Sequence, residues 1–266
     1  MSEEKIKPNY IHGVNKEEQQ RLSLLNSLTN KTFIEFLDLD NSYNILEIGS
    51  GLCILTNEIA RIKSNSKITG LEFAKEQIYA SKNEHLNLQL IQGDAHSLPF
   101  FDDCFDLIYC RYLLEHVKNP NSVLEEINRV LKKNGKLFIQ ENNIGVHILY
   151  PECFTYDKIL NKIGILQSML GGDAYIGKKL FSLLTKTGFR DIALSVQPEI
   201  HYYGLPTLKQ WITNLIEIVQ GSKNKLIESK LSNLDEINKA ILELEAFINK
   251  NDSSVLFYWN RVSAIK

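Results

Sequence analysis

Cysteine is scarce in this sequence, and the four cysteines are not arranged in pairs. Cys53, Cys104, Cys110 and Cys153 show neither CxxC spacing nor the Cys/His clustering of a zinc finger. A disulfide scaffold is therefore not expected, and no metal site is predicted. We interpret Cys53, Cys104 and Cys110 as reduced thiols, because they lie in apolar or turn-forming stretches.

Long apolar runs and blocks of basic residues are also missing. No stretch approaches the roughly 20 apolar residues that cross a bilayer, and the first residues, MSEEK, carry no apolar signal core. We therefore expect a cytoplasmic protein without membrane attachment. The formal net charge is −2 and no Lys/Arg-rich block stands out, which disfavours a nucleic acid as partner.

The composition is that of an ordinary globular chain. Apolar residues make up 44% and charged residues 23% of the 266 residues, so extensive disorder is not expected. This length suits one α/β domain with insertions, or one domain plus a small cap. Neither an internal repeat nor a low-complexity linker divides the chain.

Short apolar runs alternate with stretches of helical periodicity along most of the sequence. Asn15 and Glu18 fit a capping box that opens a helix, and Pro120 opens another helix that ends before Asn134-Gly135. Further helices are predicted near residues 33–37, 52–62, 75–83, 152–170, 178–187 and 207–250. Strands are predicted at residues 44–48, 67–72, 88–91, 105–110, 136–140, 192–196 and 255–265. This alternation predicts an α/β fold, Rossmann-like and doubly wound, with a mostly parallel seven-stranded sheet and helical insertions that form a cap.

A glycine turn joins the first predicted strand to the helix after it. Gly49 allows the tight turn and Gly51 allows a ligand to approach the backbone. A dinucleotide-binding GxGxxG motif requires a further glycine at position 54, which is Ile54 here. Two glycines preceded by Glu47 suit a ligand without phosphate, such as S-adenosylmethionine (SAM), although glycines in such a turn also occur for the turn alone.

Acidic residues follow the next two strands. Glu72 ends the second strand, where a carboxylate can accept both hydroxyls of a ribose. Asp94 and Ala95 follow the third strand and can bind the amino group and a ring nitrogen of adenine. Taken singly, Glu72 is also readable as a solvated acid and Asp94 as an Asx turn. Their joint placement at the carboxyl ends of successive strands favours one shared ligand crevice.

Several runs resemble motifs of the class I SAM-dependent methyltransferases. ILEIGSG at residues 45–51 resembles the first motif of that family, and GDAHSLPF at 93–100 resembles its adenine segment. FDLI at 105–108, LLEHV at 113–117 and LKKNGKL at 131–137 resemble the fourth-strand region and the helix-to-strand turn after it. The matches span about residues 43–141 in family order and are most similar to the small-molecule branch that includes quinone-biosynthesis methyltransferases.

The resemblance implies a domain division and a cofactor site. Residues 1–42 would form an N-terminal helical lid, and residues 43–266 a SAM-binding domain with cap insertions at about 142–176 and 205–250. SAM would be the cofactor, held by Glu47, Gly49, Gly51, Glu72, Asp94, Ala95, Arg111 and Tyr10. Arg111 would lie by the methionine end, although a surface ion pair explains it equally well. Cys53 departs from the family pattern by replacing its third small residue.

The methyl acceptor is expected to be a small molecule, but its identity and the atom methylated are not predicted. Direct displacement requires alignment and water exclusion rather than a catalytic triad. Catalytic residues are therefore left unassigned, with His12, His116, His147 and His201 as candidates for a base. Residues expected to line the acceptor pocket are Asn142, Asn143, Tyr150, His201, Tyr202 and Tyr203. Tyr10 and His12 are candidates for closing the pocket.

Three other functions stay open at the level of sequence. A scaffold that kept the fold would bind SAM weakly, and an NAD(P)-dependent oxidoreductase would require the glycine missing at position 54. An RNA or protein methyltransferase is disfavoured by the near-neutral charge and by the sequence CRYLLEHV at residues 110–117, where no Asn/Asp-Pro-Pro-aromatic motif occurs. The oligomeric state is expected to be monomer or homodimer.

Overall fold

The computed structural model describes residues 16–266, in which eight α-helices and eight strands form one sheet with helices on both faces. The helices are α1 (Lys16–Phe36), α2 (Ile54–Ile62), α3 (Lys75–Ala80), α4 (Pro120–Val130), α5 (Phe154–Met169), α6 (Leu180–Lys186), α7 (Pro206–Glu228) and α8 (Leu234–Phe247). The strands are β1 (Asn44–Ile48), β2 (Lys67–Glu72), β3 (Leu88–Gln92), β4 (Phe105–Arg111), β5 (Leu131–Glu141), β6 (Ile148–Tyr150), β7 (Arg190–Tyr202) and β8 (Ser254–Ile265).

The sheet confirms the predicted Rossmann-like architecture. Strands β3, β2, β1, β4 and β5 lie side by side in that order and pair in parallel. Strand β8 then pairs antiparallel with β5, β6 and β7. Ile265 pairs with both Lys136 and Arg190, so β5 and β7 lie on opposite edges of β8. Ser254 pairs with both Tyr150 and Tyr202, so β6 continues the line of β5.

The order of the strands creates a crevice at the carboxyl end of β1. Strand β1 pairs with β2 on one side and with β4 on the other, so the chain leaves β1 and β4 in opposite directions across the sheet. Ligands of open α/β sheets bind at such a switch point. The glycine turn, Glu72 and the residues after β4 therefore meet at one edge.

Several element boundaries differ from those predicted. Residues 16–36 form one continuous helix rather than two, because no glycine or proline interrupts them. The helical region 207–250 is two helices, since Asn233 caps α8 by accepting a hydrogen bond from the Glu236 N–H. Strand β7 covers thirteen residues rather than five, and β6, an eighth strand of three residues, is additional.

Helices α5, α7 and α8 cover one face of the far end of the sheet. Trp211 and Tyr156, both buried, belong to the apolar cluster that these helices form with Phe257 and Trp259 of β8. The other large cluster lies under α4 and α6, and it includes Val262 and Ala264, also from β8. Strand β8 thus contributes to both clusters.

Helix α1 is tied to the sheet and to α7 through two arginines. Arg261 of β8 donates to Thr32 Oγ1 at 3.1 Å and lies over the Phe33 and Phe36 rings. Arg21 of α1 donates to Asn214 Oδ1 at 3.1 Å and forms a buried ion pair with Glu18. These contacts fix α1 against the carboxyl edge of the sheet.

Two further observations concern residues 16–266 alone. None of the helices there is both long and apolar enough to cross a membrane. No group of three or more His, Cys, Asp or Glu side chains in this part of the chain is placed to hold a metal ion.

Candidate functional site

A cavity of about 400 Å³ lies at the carboxyl edge of the parallel strands, beneath α1. We call it the central cavity. Its lining brings together these residues named from the sequence: Glu47, Gly49, Gly51, Glu72, Asp94, Ala95, Arg111 and His116. Its volume falls within the range of small-molecule sites.

The glycine turn forms one wall of the cavity. Gly49 and Gly51 have φ of 76° and 54°, in the left-handed region that favours glycine. The N–H groups of Gly49 and Ser50 both donate to Leu71 O, at 2.8 and 3.0 Å, and so fix the turn against β2. A Cβ at Gly49 would lie 3.2 Å from the Leu113 side chain. The glycines therefore keep this wall open and close to the loop after β4.

Glu72 is held in place by two backbone amides. Its Oε2 accepts from the Gly51 N–H at 2.9 Å, and its Oε1 accepts from the Ala74 N–H at 2.8 Å. Burial raises the pKa of Glu72, although the amide hydrogen bonds act in the opposite direction. Each carboxylate oxygen has a second lone pair, so Glu72 retains acceptor capacity for two hydroxyl groups.

Glu47 is the most deeply buried acid of the cavity wall. Its Oε2 accepts from Thr56 Oγ1 at 2.5 Å and from the Tyr109 hydroxyl at 3.0 Å. Burial raises the pKa of Glu47 to about 7, and Thr56, Arg111 and Tyr109 partly offset that rise. Glu47 therefore changes charge near neutral pH, and a cation beside it would favour the ionised form.

Asp94 closes an Asx turn and also faces the cavity. Its Oδ1 accepts from the His96 N–H at 2.9 Å and lies 2.7 Å from His96 Nδ1. Partial burial raises the pKa of Asp94, but the hydrogen bonds and charge of His96 outweigh it, so the pKa is lowered. Ala95 beside it is buried. Asp94 therefore both closes an Asx turn and lines the central cavity.

Arg111 lines the cavity, but its hydrogen bonds join β4 to α1. The guanidinium donates to Thr29 Oγ1 at 3.2 Å, Asn26 Oδ1 at 2.9 Å and Asn30 Oδ1 at 2.8 Å. It also lies 5.0 Å above the Phe33 ring. These partners are neutral side chains of α1, so the surface ion pair considered from the sequence is not what the structure contains.

Glu141, which sequence reasoning did not select, holds the loop after β4. Its carboxylate accepts from the N–H groups of Leu113 and Leu114 at 2.9 and 2.8 Å. Burial raises the pKa of Glu141 well above its ordinary value. Tyr112 at the start of the loop has φ of 53°. The position of Glu141 at the end of the predicted fifth strand was the signal that could have found it, because the parallel strands beside it end at the same crevice.

His116 is the one of the four candidate bases that the described residues place in the cavity lining. Its Nδ1 lies 3.5 Å from Gln167 Nε2, and its Nε2 lies 3.9 Å from Glu115 Oε1. Burial lowers the pKa of His116, with Glu115 acting against it. The apolar side chains around it were not predicted as site residues: Leu22, Leu25, Leu113 and Val117.

The residues expected to line the acceptor pocket are not in the lining of the central cavity. Asn143 caps a short 3₁₀ turn through the Gly145 N–H. Asn142 accepts from the Gly177 N–H through its backbone carbonyl. Tyr150, Tyr202 and Tyr203 are half-exposed or more. These residues lie outside the central cavity because β6, β7 and β8 extend the sheet beyond β5, and their place in an acceptor pocket stays a prediction.

Two of the candidate bases pack in the cap instead. His201 stacks on Trp211 with ring centroids 4.8 Å apart, and its Nδ1 lies 2.9 Å from Thr207 Oγ1. His147 lies 4.3 Å from the Phe257 ring. Burial lowers the pKa of both imidazoles to about 4. Tyr10 and His12 lie outside the described residues.

Comparison with known proteins finds similarity to methyltransferases. Residues 46–139, about a third of the chain, match the family described as a methyltransferase domain. The chain is 26% identical over 167 residues to the demethylmenaquinone methyltransferase of Staphylococcus epidermidis, which covers 58% of this chain and 69% of that protein. It is 27% identical over 157 residues to the ubiquinone/menaquinone biosynthesis C-methyltransferase UbiE of Geotalea daltonii, covering 55% of this chain and 66% of that protein.

Solved structures share the fold over almost the whole chain. The YcgJ protein of Bacillus subtilis superposes with a TM-score of 0.60 at 18% identity, covering 90% of this chain and 98% of that one. The Haemonchus contortus phosphoethanolamine N-methyltransferase 2, solved with S-adenosyl-L-methionine, gives 0.54 at 16% identity, covering 93% of this chain and 52% of that one.

Proposed function

We propose that this chain is a SAM-dependent methyltransferase and that it transfers the methyl group of SAM to a small, largely apolar acceptor in the central cavity. The observation that carries the proposal is Glu72, a buried carboxylate fixed by two backbone amides beside the glycine turn. We infer that Glu72 holds the ribose hydroxyls.

The other cavity residues fit the remaining parts of SAM. Ala95 and Asp94 suit adenine, one through apolar contact and the other through its carboxylate. Glu47 suits the positively charged end, because its pKa near 7 leaves a carboxylate that a cation stabilises. Ile54 in place of a third glycine agrees with a ligand that carries no pyrophosphate.

Bound SAM supplies an electrophilic methyl group on a positively charged sulfur, so the chain has to align the acceptor and exclude water. Leu22 and Leu25 of α1 and Val117 of the loop after β4 line the cavity. Their positions support a lid that includes α1, within the proposed lid of residues 1–42. They also favour an apolar acceptor.

We propose His116 as the base that takes a proton from the acceptor. Burial lowers its pKa, so the imidazole is neutral and able to accept a proton at neutral pH. The names of the relatives favour a reduced quinone ring as the acceptor. Tyr112, whose side chain also borders the cavity, offers an aromatic face to such a ring.

We place the enzyme in the cytoplasm with a small molecule, not a nucleic acid, as its partner. Cys53, Cys104, Cys110 and Cys153 are all unpaired, as in proteins of reducing compartments. The formal net charge of −2 provides no electrostatic attraction for a polyanion.

Calorimetric titration with SAM tests the cofactor site. Glu72→Ala should weaken SAM binding by about 100-fold, since two hydrogen bonds to a charged group are lost. Glu76→Ala, an exposed acid on α3, is the matched control and should bind as the unsubstituted protein does. A folded protein that does not bind SAM, or equal affinities for the two variants, would reject the proposed site.

The same titrations, joined to a turnover assay with a short-chain naphthoquinol, test the base. His116→Asn should keep its SAM affinity while turnover falls by 10²-fold or more, the usual contribution of a general base. The rate of the unsubstituted enzyme should fall at acidic pH as His116 becomes protonated. Turnover unchanged by His116→Asn would remove the base from the mechanism and leave the cofactor site standing.

A further inference from the structure

Strands β6, β7 and β8 expose an apolar face that none of the helices within residues 16–266 covers. We call it the open sheet face. Its exposed members are Ile148, Tyr150, Val196, Pro198, Ile200, Tyr202, Leu256 and Tyr258. The same strands bury their opposite face, with Phe257 and Trp259, against the cap helices.

Strand pairing explains why these side chains share one face. Residues that pair across antiparallel strands point to the same side of the sheet. Leu256 pairs with both Ile148 and Ile200, and Tyr258 pairs with Pro198. Alternation along β8 then sends Phe257 to the cap side. The apolar residues therefore form one continuous surface across three strands.

The open sheet face is large for an isolated protein. Ile148, Tyr150 and Ile200 are 58%, 63% and 54% exposed, and the other large side chains are between 36% and 56% exposed. A large aromatic side chain buries about 150–250 Å². If each of the eight residues exposes roughly half of such an area, the open sheet face presents on the order of 700 Å² to solvent. The largest patch on a monomer is about 300–600 Å², whereas a standard interface buries about 800 Å² on each partner.

None of the eight residues of the face is Asp, Glu, Lys, Arg or His. Glu199 and His201 alternate with them along β7, but their side chains are buried on the cap side. A second copy of the face therefore meets no like charge and no buried unpaired charge. An anionic membrane or a nucleic acid finds no cation here to bind it.

We propose that the open sheet face is a homodimer interface, in which a second copy packs the same face against it about a two-fold axis. Such an isologous contact uses the same patch on both subunits, and two sheets packed face to face bury their apolar sides. None of the eight residues lines the central cavity. The interface thus goes beyond the proposed function and leaves the cavity accessible in both copies.

Sedimentation velocity over a micromolar concentration series tests the proposal. The unsubstituted protein should sediment as a dimer, and Ile200→Glu should raise the dissociation constant at least about 100-fold, because the loss of apolar burial occurs twice in each dimer. Ile165→Glu on α5, where the isoleucine is 51% exposed, is the matched control and should stay dimeric. Tyr150→Glu on β6 is a second face variant, and circular dichroism reports the folding of each.

Several outcomes would overturn the proposal. A monomer throughout the series would do so, as would a dimer that survives both Ile200→Glu and Tyr150→Glu. Equal dissociation of Ile200→Glu and Ile165→Glu would assign the association elsewhere. A monomer that co-sediments with phosphatidylcholine vesicles, and loses this with Ile200→Glu, would assign the face to a lipid surface. SAM affinity should be unchanged in the face variants, which separates this test from that of the cofactor site.

Discussion

At the scale of single residues, Glu47 combines burial with a position in the cavity wall. Its folded-state pKa of about 7 lies above the ordinary value of 4.5. A carboxyl group with a raised pKa contributes stability that is fully present below pH 4.5 and is lost as the pH rises toward 7. Glu47 therefore lowers the stability of the ligand-free protein near pH 7, which is also the pH range in which a bound cation would stabilise the ionised carboxylate.

We predict that Glu47→Gln makes the ligand-free protein more stable relative to the unsubstituted protein at pH 8 than at pH 5. The difference between the two pH values should be about 3 kcal/mol, from the shift of the pKa. Urea unfolding at both pH values measures it. Glu76→Gln, on an exposed residue, should show no such difference, and the same effect of Glu47→Gln at both pH values would contradict the assignment.

Residue identity allowed the polar wall of the central cavity to be predicted, but not the partners of its side chains. Glu72 and Asp94 were predictable because parallel strands end at the same edge of a sheet. The hydrogen bonds of Arg111 to α1 were not, since Asn26 and Asn30 are far from it in sequence. The role of Glu141 was not predictable either, because no local sequence pattern indicates which backbone amides donate to a buried acid at the end of a strand.

At the scale of elements, α1 depends on a side chain from the sheet. Arg111 of β4 donates hydrogen bonds to three α1 side chains that lie on one side of adjacent turns, Asn26, Thr29 and Asn30. The same helix provides Leu22 and Leu25 to the cavity. The position of the proposed lid is thus coupled to the strand that borders the cofactor site.

We predict that Arg111→Lys loosens α1, because a lysine cannot donate in the forked geometry of a guanidinium. Losing one or two hydrogen bonds to a charged group should speed amide hydrogen exchange in α1 by about 10- to 100-fold. Peptides from α4 provide an internal reference, and Arg61→Lys on the exposed side of α2 is the control. Unchanged exchange in α1 would show that Arg111 does not hold the helix.

The elements of the first half were predicted more closely than those of the second. Strands β1, β2 and β4 have strong apolar runs bounded by turn residues, so the local pattern determines them. Strand β6 has only three residues, and much of β7 has solvent-exposed side chains. Their extent is set by pairing with β8, a long-range contact that no local window contains. The position of Tyr150 and Tyr202 outside the central cavity has the same origin.

At the scale of the whole molecule, cap and sheet share a strand. Val255 and Phe257 of β8 belong to the cap cluster, and Val262 and Ala264 belong to the cluster under α4 and α6. Neither cluster is complete without β8. We therefore expect the described residues to unfold as one cooperative unit.

We predict one thermal transition, which SAM moves as a whole. At a ligand concentration 100 times the dissociation constant the gain is about 2.7 kcal/mol, which corresponds to a rise in Tm of roughly 5–10 °C at this size. Calorimetric scans with and without SAM measure it. Two transitions, of which SAM moves only one, would show that the cap unfolds independently of the cofactor site.

The position of β8 after the strands that it joins also governs what a nascent chain can do on the ribosome. Before residues 254–265 emerge, β5 and β7 have no strand between them, and the cap helices lack the β8 side chains that they cover. Unpaired strand edges and uncovered apolar helices are the surfaces that chaperones bind and that aggregate. A chain that has emerged only as far as residue 253 is therefore incompletely folded, and its folding waits for residues 254–265.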